Sequence, residues 1–543
     1  MQFVKKYESD FDDTSFQMPK WGITAIFFGV WFVVLNVLAV VYILKSEYIY
    51  FWDNATYWDI SKSIANGAMR DGFLKSLYNS ISTMDYNYLA GIPTALFIKI
   101  FGPSRLVYEL TLVNLYLFPS VILIYKLAKK LGKSPKITTV IVMLICPAIT
   151  FMAFIGFVDI GGLLGGLLCY YLYFERDNKE TKWYNYIIIG AVIVLMMLWR
   201  RWYAFFGVSF ITAMLADSII NKKRWYMSML SGVVALLIIV LFFRDFLFNI
   251  LLANYGEIYS GYKFSPSVDF KLITRYFGII YLLVLLVSTV TIAVRKKDLR
   301  PVFCWVQMIT CAVIFMFMQT HGQQHLLLYI PSVVMLTVFT VRYINKEWML
   351  IAISLLSIID AVNVCIPYEQ PQSIGEIKVY APIPNFSMRS RKRDDVYQIL
   401  DLKKRLDTVV GDGETLGVLA SSFVINEDVL RNVESSLNKH IDREDYIKSL
   451  PQVDSRDTDM SVYNDIDYVL VAYPAQTHLT PDRQRVITKT VDSFMSWTGI
   501  ATAFEEEYDF AVSVDGIDLK LFHRVRQIPD YEMVTHEKLC GVR

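Results

Sequence analysis

The sequence predicts a polytopic α-helical membrane protein, with about eleven transmembrane helices and a C-terminal extracytoplasmic α/β domain. Three observations carry that prediction. Of the 543 residues 55% are hydrophobic and only 19% charged, and the mean hydropathy is +0.39, a balance that soluble domains do not tolerate. Apolar runs approach the roughly 20 residues that a helix needs to cross a hydrocarbon core of about 30 Å. Lys and Arg collect in every second connection between those runs, as the positive-inside rule requires of cytoplasmic loops.

Taken in order, the predicted spans are Trp21–Leu44, Leu106–Leu127, Ile137–Gly156, Ile160–Phe174, Tyr184–Trp199, Tyr203–Ile220, Trp225–Phe248, Tyr276–Val294, Val302–Met318, Leu326–Val341 and Trp348–Ile366. The first is too long for a signal-peptide core and ends without a small-residue cleavage site, so it reads as an uncleaved helix. The basic connections hold Lys129, Lys130, Lys133 and Lys136, then Arg176, Lys179 and Lys182, then Lys222, Lys223 and Arg224, then Arg295, Lys296, Lys297 and Arg300, then Arg342 and Lys346. With Lys5 and Lys6 they place the N-terminus in the cytoplasm and everything after Ile366 outside, in a multi-pass plasma or inner-membrane topology.

The first outer loop, Lys45 to Arg105, is much longer than a usual connection between packed helices, and long loops are commonly functional. Within it Asn54 to Asn66 has helical spacing of apolar residues, and Gly67 can end the helix. A second apolar piece, Leu89 to Phe101, stops at Gly102-Pro103. The organisation is therefore residues 1–366 as a transmembrane module, 367–393 as a proline-punctuated linker (Pro367, Pro371, Pro382, Pro384), and 394–543 as a small α/β domain. In that domain Thr415–Ala420 and Tyr468–Tyr473 read as buried strands, Pro481–Thr498 as a helix and Asp518–Phe522 as a last strand.

Charge divides between these parts. Residues 367–543 carry 21 Lys and Arg against 30 Asp and Glu, which leaves 32 against 21 in the membrane part. An acidic tail without a basic patch argues against nucleic acid as a partner. The six cysteines are scattered and show no metal-ligand spacing, and Cys365 and Cys540, the two outside the spans, are not expected to pair. There is no glycine-rich phosphate loop, no nucleophile elbow and no internal repeat.

What remains is a collection of ionisable groups at one end of the bundle: Asp53 and Asp59 after the first span, Asp159 between the third and fourth, Arg200 and Arg201 at a tight turn, and His321 and His325 in the fifth outer loop. Charges at membrane depth are costly unless they line a wet cavity or serve a reaction. Arginine forks bind phosphate bidentately and stay charged, and a carboxylate beside the phosphate can take a proton from an incoming hydroxyl. The combination suits transfer from a phosphorylated lipid.

Over roughly its first 350 residues the chain resembles the GT-C-fold glycosyltransferases that use polyprenyl-phosphate sugars, the type that includes protein O-mannosyltransferases and lipid A aminoarabinose transferases. The residues that carry the resemblance are Asp53 in Asp-Asn-Ala-Thr-Tyr, then Phe101-Gly102-Pro103-Ser104-Arg105 before the second span, Asp159 beyond the third, and Arg200-Arg201 where many relatives place a lysine or arginine. It implies a polyprenyl-phosphate-linked sugar donor, an extracytoplasmic glycan, glycolipid or protein acceptor, and inversion at the anomeric carbon. It makes Asp53 the catalytic carboxylate, Asp159 a second acid, and Arg200 or Arg201 the phosphate ligand. Many relatives have two consecutive acids after the first span where this chain has Asp53-Asn54. No cofactor is therefore firmly implied, and a divalent metal would find one ligand fewer.

Each assignment has a structural counterpart. Asp53 and Asp159 are placed to cap helices, Arg200 and Arg201 to anchor helix ends at the headgroups, and Asp59 to form a solvated pair with Lys62. Tyr57 is offered for sugar contact, and His321 and His325 for substrate hydrogen bonding rather than metal. Two rival functions stand beside glycosyl transfer: a transporter or flippase for a lipid-linked or anionic solute, and a membrane-anchored envelope assembly factor. Transporters place ionisable groups near the midplane, often with paired broken helices; this chain places most of them at the outer ends.

Overall fold

The computed structural model describes residues 20–67, 72–83, 86–176, 179–344, 346–367, 377–437 and 445–542. Lys5, Lys6 and Pro371, invoked above for orientation and linker, lie outside them. A long helix α1 (Lys20–Lys45) is followed on one side of the bundle by three short ones, α2 (Asp53–Ala65), α3 (Phe73–Thr83) and α4 (Ile92–Phe101). The predicted helix at 54–66 is thus shifted by one residue. Helix α5 (Arg105–Leu112) runs through a π-helical turn at Val113–Leu117 into α6 (Phe118–Leu131); Pro119 cannot donate to the regular ladder, and a widened turn is a common answer.

The bundle continues with α7 (Pro135–Ile145), α8 (Ala148–Phe154), α9 (Ile160–Tyr173), α10 (Trp183–Trp199), α11 (Tyr203–Ile220), α12 (Trp225–Phe242), α13 (Arg244–Leu252), α14 (Tyr255–Ile258), α15 (Pro266–Phe277), α16 (Ile279–Lys296), α17 (Arg300–Met318), α18 (Ile330–Tyr343) and α19 (Glu347–Asn363). Helices occupy all eleven predicted spans. Among the described residues six are long and apolar enough to cross alone: Gly22–Lys45, Arg105–Leu131, Tyr203–Ile220, Trp225–Phe242, Ile279–Lys296 and Arg300–Met318. The pair α7 and α8, bent by 64° at Pro147, makes a seventh. Helices α9 and α18 have 14 residues each, about 21 Å at 1.5 Å per residue. They sit inside the bundle, and α18 is buried on nearly every face.

Outward-facing side chains on α1 (Val30, Val33, Val37), α12 (Leu236, Leu237, Val240) and α16 (Leu283, Val287, Val290) are exposed aliphatics. Continuous apolar surface of that extent is a lipid-facing surface. Inside, α9 approaches its neighbours through glycines. A Cβ at Gly162 would meet the Tyr203 ring at 2.0 Å, and the Tyr203 hydroxyl donates to the Asp159 carbonyl at 2.7 Å. Close packing by small residues therefore fixes where Asp159 stands.

The C-terminal domain has helices α20 (Val396–Val409), α21 (Glu427–Ser436), α22 (Arg485–Ser496) and α23 (Asp530–Cys540), with strands β1 (Leu416–Leu419), β2 (Ile447–Lys448), β3 (Tyr468–Tyr473), β4 (Phe504–Val514) and β5 (Ile517–Arg524). The sheet order is β2-β1-β3-β5-β4, with β2, β1 and β3 parallel and β5 and β4 added antiparallel. One apolar cluster fills each face. The described part of the segment read as a linker, from residue 377 on, packs against the bundle: Ile279 N–H donates to the Ala381 carbonyl at 2.9 Å, Asn385 N–H to Arg275, Met388 N–H to Val364 and Glu47 N–H to Arg391, and Phe386 is buried. All six cysteines are free, Cys365 exposed and Cys540 buried.

Candidate active site

The loop between α1 and α5, the α10–α11 turn and the loop before α18 converge on Asp53. Its position explains its chemistry. Trp52, not Asp53, is the N-cap residue of α2, and no side chain caps that end. The Asp53 carboxylate turns instead to the bundle: Oδ1 accepts from the Tyr86 hydroxyl at 2.7 Å, and Oδ2 accepts from Arg200 Nη2 at 2.9 Å and from Gln324 Nε2 at 3.0 Å. The capping role weighed above is thus not the one that Asp53 takes.

Arg200 is the hub. Its side chain is only 3% exposed, and its Nε lies 3.4 Å from Asp159 Oδ1, so one guanidinium bridges two carboxylates. The guanidinium carbon stands 5.0 Å from the Tyr57 ring centroid and 5.8 Å from that of Tyr86, which places cation–π attraction beneath the ion pairs. Arg200 Nη1 and Asp159 Oδ2 are buried and make no hydrogen bond. Burial pushes the Asp53 carboxyl up, but the Arg200 charge and the hydrogen bonds from Arg200 and Tyr86 outweigh it and bring it down to about 2. Asp53 is ionised at neutral pH and, at 23% exposure, is the more open of the two acids.

Arg201 lies next to this cluster among aromatic faces, 4.9 Å from Trp202, 5.0 Å from Tyr255, 5.8 Å from Tyr259 and 5.9 Å from Tyr86, and it donates to the Tyr259 hydroxyl. Neither arginine extends to a headgroup as a helix-end anchor; both are buried.

The structure places three of the residues named above differently from their expected surroundings. His321 is fully buried, with its ring nitrogens engaged by Asp269 and the Tyr329 hydroxyl, so no nitrogen is left for substrate. Tyr57 is 3% exposed, and its ring lies against the Arg200 guanidinium. Asp59 does pair with Lys62 at 3.1 Å, yet Lys62 is buried and Arg431 of the C-terminal domain lies 3.9 Å from Asp59: the pair belongs to a domain interface, not a solvated face. His325 keeps its role as a candidate. Its Nδ1 accepts from Gly322 N–H at 2.8 Å and its Nε2 is buried without a hydrogen bond.

Tyr86 and Gln324 were not singled out in the sequence. Only their position in loops between spans, as polar groups beside named candidates, points to them. The donor set does not fit a divalent cation. Both carboxylates are turned to Arg200, the Asn54 amide donates to the Tyr48 hydroxyl and the Ile155 carbonyl, and among the described residues no three His, Cys, Asp or Glu side chains converge.

A partly open carboxylate, held by an arginine at one end of a helical bundle beneath a packed α/β domain, invites comparison with known enzymes. The family model of the dolichyl-phosphate-mannose-protein mannosyltransferases matches residues 89–243. Two solved structures of ArnT from Cupriavidus metallidurans resemble most of the chain. The apo form covers 92% of this chain and 98% of its own at 12% identity, with a TM-score of 0.53; the form bound to undecaprenyl phosphate covers 93% and 98% at 11% identity, with a TM-score of 0.54.

The fold is the GT-C fold of ArnT.

No curated protein matches the sequence. The matched region, 89–243, contains Asp159, Arg200 and Arg201 but neither Asp53 nor the C-terminal domain.

Proposed function

We propose that this GT-C glycosyltransferase moves a sugar from a polyprenyl-phosphate donor to an extracytoplasmic acceptor, a cell-envelope glycan or glycolipid, with inversion at the anomeric carbon. The observation that carries the reading is the Asp53–Arg200–Asp159 cluster, set at the end of the bundle where lipid meets water. An ArnT relative of the same fold has been solved with undecaprenyl phosphate, which supports a lipid phosphate as the leaving group.

The acceptor hydroxyl attacks the anomeric carbon while the bond from that carbon to the phosphate oxygen breaks, and the hydroxyl proton passes to Asp53. The electron pair leaves on the polyprenyl phosphate. At rest Asp53 is a poor base because Arg200 and Tyr86 hold it. A donor phosphate that shares the Arg200 charge weakens that hold and raises the proton affinity of Asp53 as the reaction begins, in the direction that general-base catalysis needs. Asp159 keeps Arg200 in place, and Arg201 binds the phosphate. His325 contributes its buried Nε2 as a hydrogen-bonding group at the same site.

Arg201 gives the direct test. A charge-assisted hydrogen bond contributes about 1.5–3 kcal/mol, so Arg201→Ala weakens binding of undecaprenyl phosphate to the purified protein by about 10- to 100-fold, measured by calorimetry in detergent. Parental affinity in that variant removes the assignment. A flippase would instead move lipid-linked sugar across liposomes without cleaving the sugar from its phosphate.

A further inference from the structure

Helix α21 of the C-terminal domain lies along the proposed catalytic loop. Along α21, Ser436 Oγ accepts from Tyr50 N–H at 3.0 Å, Ser435 Oγ accepts from Trp58 Nε1 at 3.3 Å, and Asn432 Oδ1 accepts from Lys62 Nζ at 3.5 Å. The shortest link is at the first turn, where Asp428 Oδ2 accepts from the Trp52 N–H at 2.7 Å. These contacts bracket Asp53 on both sides.

Trp52 is the residue that makes the link consequential. Its backbone stands at φ 49° and ψ −127°, a region in which a bulky L-residue is strained and which persists only when surrounding contacts over-determine it. That turn aims the next residue. The Trp52 carbonyl accepts from Thr56 N–H at 2.8 Å and so begins α2, while its N–H is spent on Asp428. The Trp52 ring packs on Phe423 and His478 of the same domain, at centroid distances of 5.1 and 4.5 Å. One peptide thus joins a membrane-module carboxylate to the C-terminal domain.

We infer that Asp428 is a positioning residue for the reaction: the C-terminal domain holds Trp52 in its strained turn through the Asp428 carboxylate, and so fixes the direction of Asp53. The inference rests on the reading of Asp53 as the reacting carboxylate. It gives the domain a part in the chemistry without requiring it to touch substrate. Arg431, 3.1 Å from Asp428 Oδ1, keeps the other carboxylate oxygen engaged, so Oδ2 remains turned toward Trp52.

Because the contact needs an acceptor and not a charge, two variants separate positioning from charge. Asp428→Asn keeps an oxygen for the Trp52 N–H; Asp428→Leu has none. In the full-length protein in liposomes, Asp428→Leu is expected to lower kcat by up to about 100-fold, the scale of a misplacement near 1 Å. Undecaprenyl phosphate binding should stay at the parental value, since neither arginine is moved, and Asp428→Asn should retain most of the parental kcat. Hydrogen–deuterium exchange over residues 50–57 reads the same contact without any assay of turnover, and should accelerate in the Leu variant only. Faster exchange with no glycosyl transfer by the parental protein would sink the functional reading and leave the contact standing. Unchanged exchange and kcat in Asp428→Leu, equal losses in the Asn and Leu variants, or a parallel loss of lipid phosphate binding would each overturn the positioning role.

Discussion

Asp53→Asn is expected to lower turnover of the lipid-linked sugar by about 100- to 10,000-fold, the range lost with a general base. The substitution is nearly isosteric. Since Trp52 rather than Asp53 is the N-cap residue of α2 and no side chain caps that end, the helix start does not depend on the carboxylate. The amide oxygen still accepts from Tyr86 or Gln324, but the group no longer takes up a proton and no longer offsets the Arg200 charge. The measurement is single-turnover transfer in liposomes, with Asp401→Asn as the control. Asp401 is 59% exposed and pairs with Arg405 on the surface of α20, a kind of ion pair that contributes little, so its variant should behave as the parent. Parental turnover in Asp53→Asn would leave the carboxylate with a structural role only.

Arg200→Lys should cost about 100- to 1,000-fold, comparable to removing one electrostatic stabiliser of a transition state. The ammonium is a point charge on a flexible stem. It cannot present one edge to Asp53 and another to Asp159 while stacked over Tyr57, as the guanidinium does. Arg200→Ala goes further, because it leaves two carboxylates near each other without their shared cation. Breaking a buried pair in this way typically destabilises by about 3–5 kcal/mol, which thermal unfolding in detergent would register. Lys and Ala variants with the same stability and turnover as the parent would contradict the hub role of Arg200.

Much of this site could be read from the chain because ionisable residues are conspicuous among apolar ones. Asp53, Asp159, Arg200 and Arg201 stood out as charges at the ends of spans, where membrane depth makes them expensive. Tyr86 and Gln324 carry no such signal: one lies among several loop tyrosines, the other is uncharged and 271 positions from Asp53. His321 and His325 show the limit of type and spacing. Asp269, 52 positions away, takes the first, and no local pattern announces that pairing.

The C-terminal sheet was partly legible for a similar reason. β1 and β3 are continuous apolar runs because both faces are covered, whereas β4 begins Phe504-Glu505-Glu506-Glu507 and lies at the sheet edge, where charged residues discourage further pairing. Its acidic run conceals a strand. The length of a crossing is less legible: α9 and α18 have 14 residues each and are enclosed by other helices, and hydropathy alone does not distinguish protein from lipid as the apolar surroundings.

The central claim is that the protein transfers sugar from a polyprenyl phosphate carrier by way of Asp53. Its most direct test is mass spectrometry of both envelope glycans and lipid-linked sugars, in cells that carry the parental gene, no gene, or Asp53→Asn. The account predicts that one sugar substituent disappears from the envelope, and that the same sugar accumulates on polyprenyl monophosphate, in the deletion and the Asp53→Asn cells alike. Envelope glycans and lipid-linked sugars unchanged in both strains, or fully restored by Asp53→Asn, would contradict it.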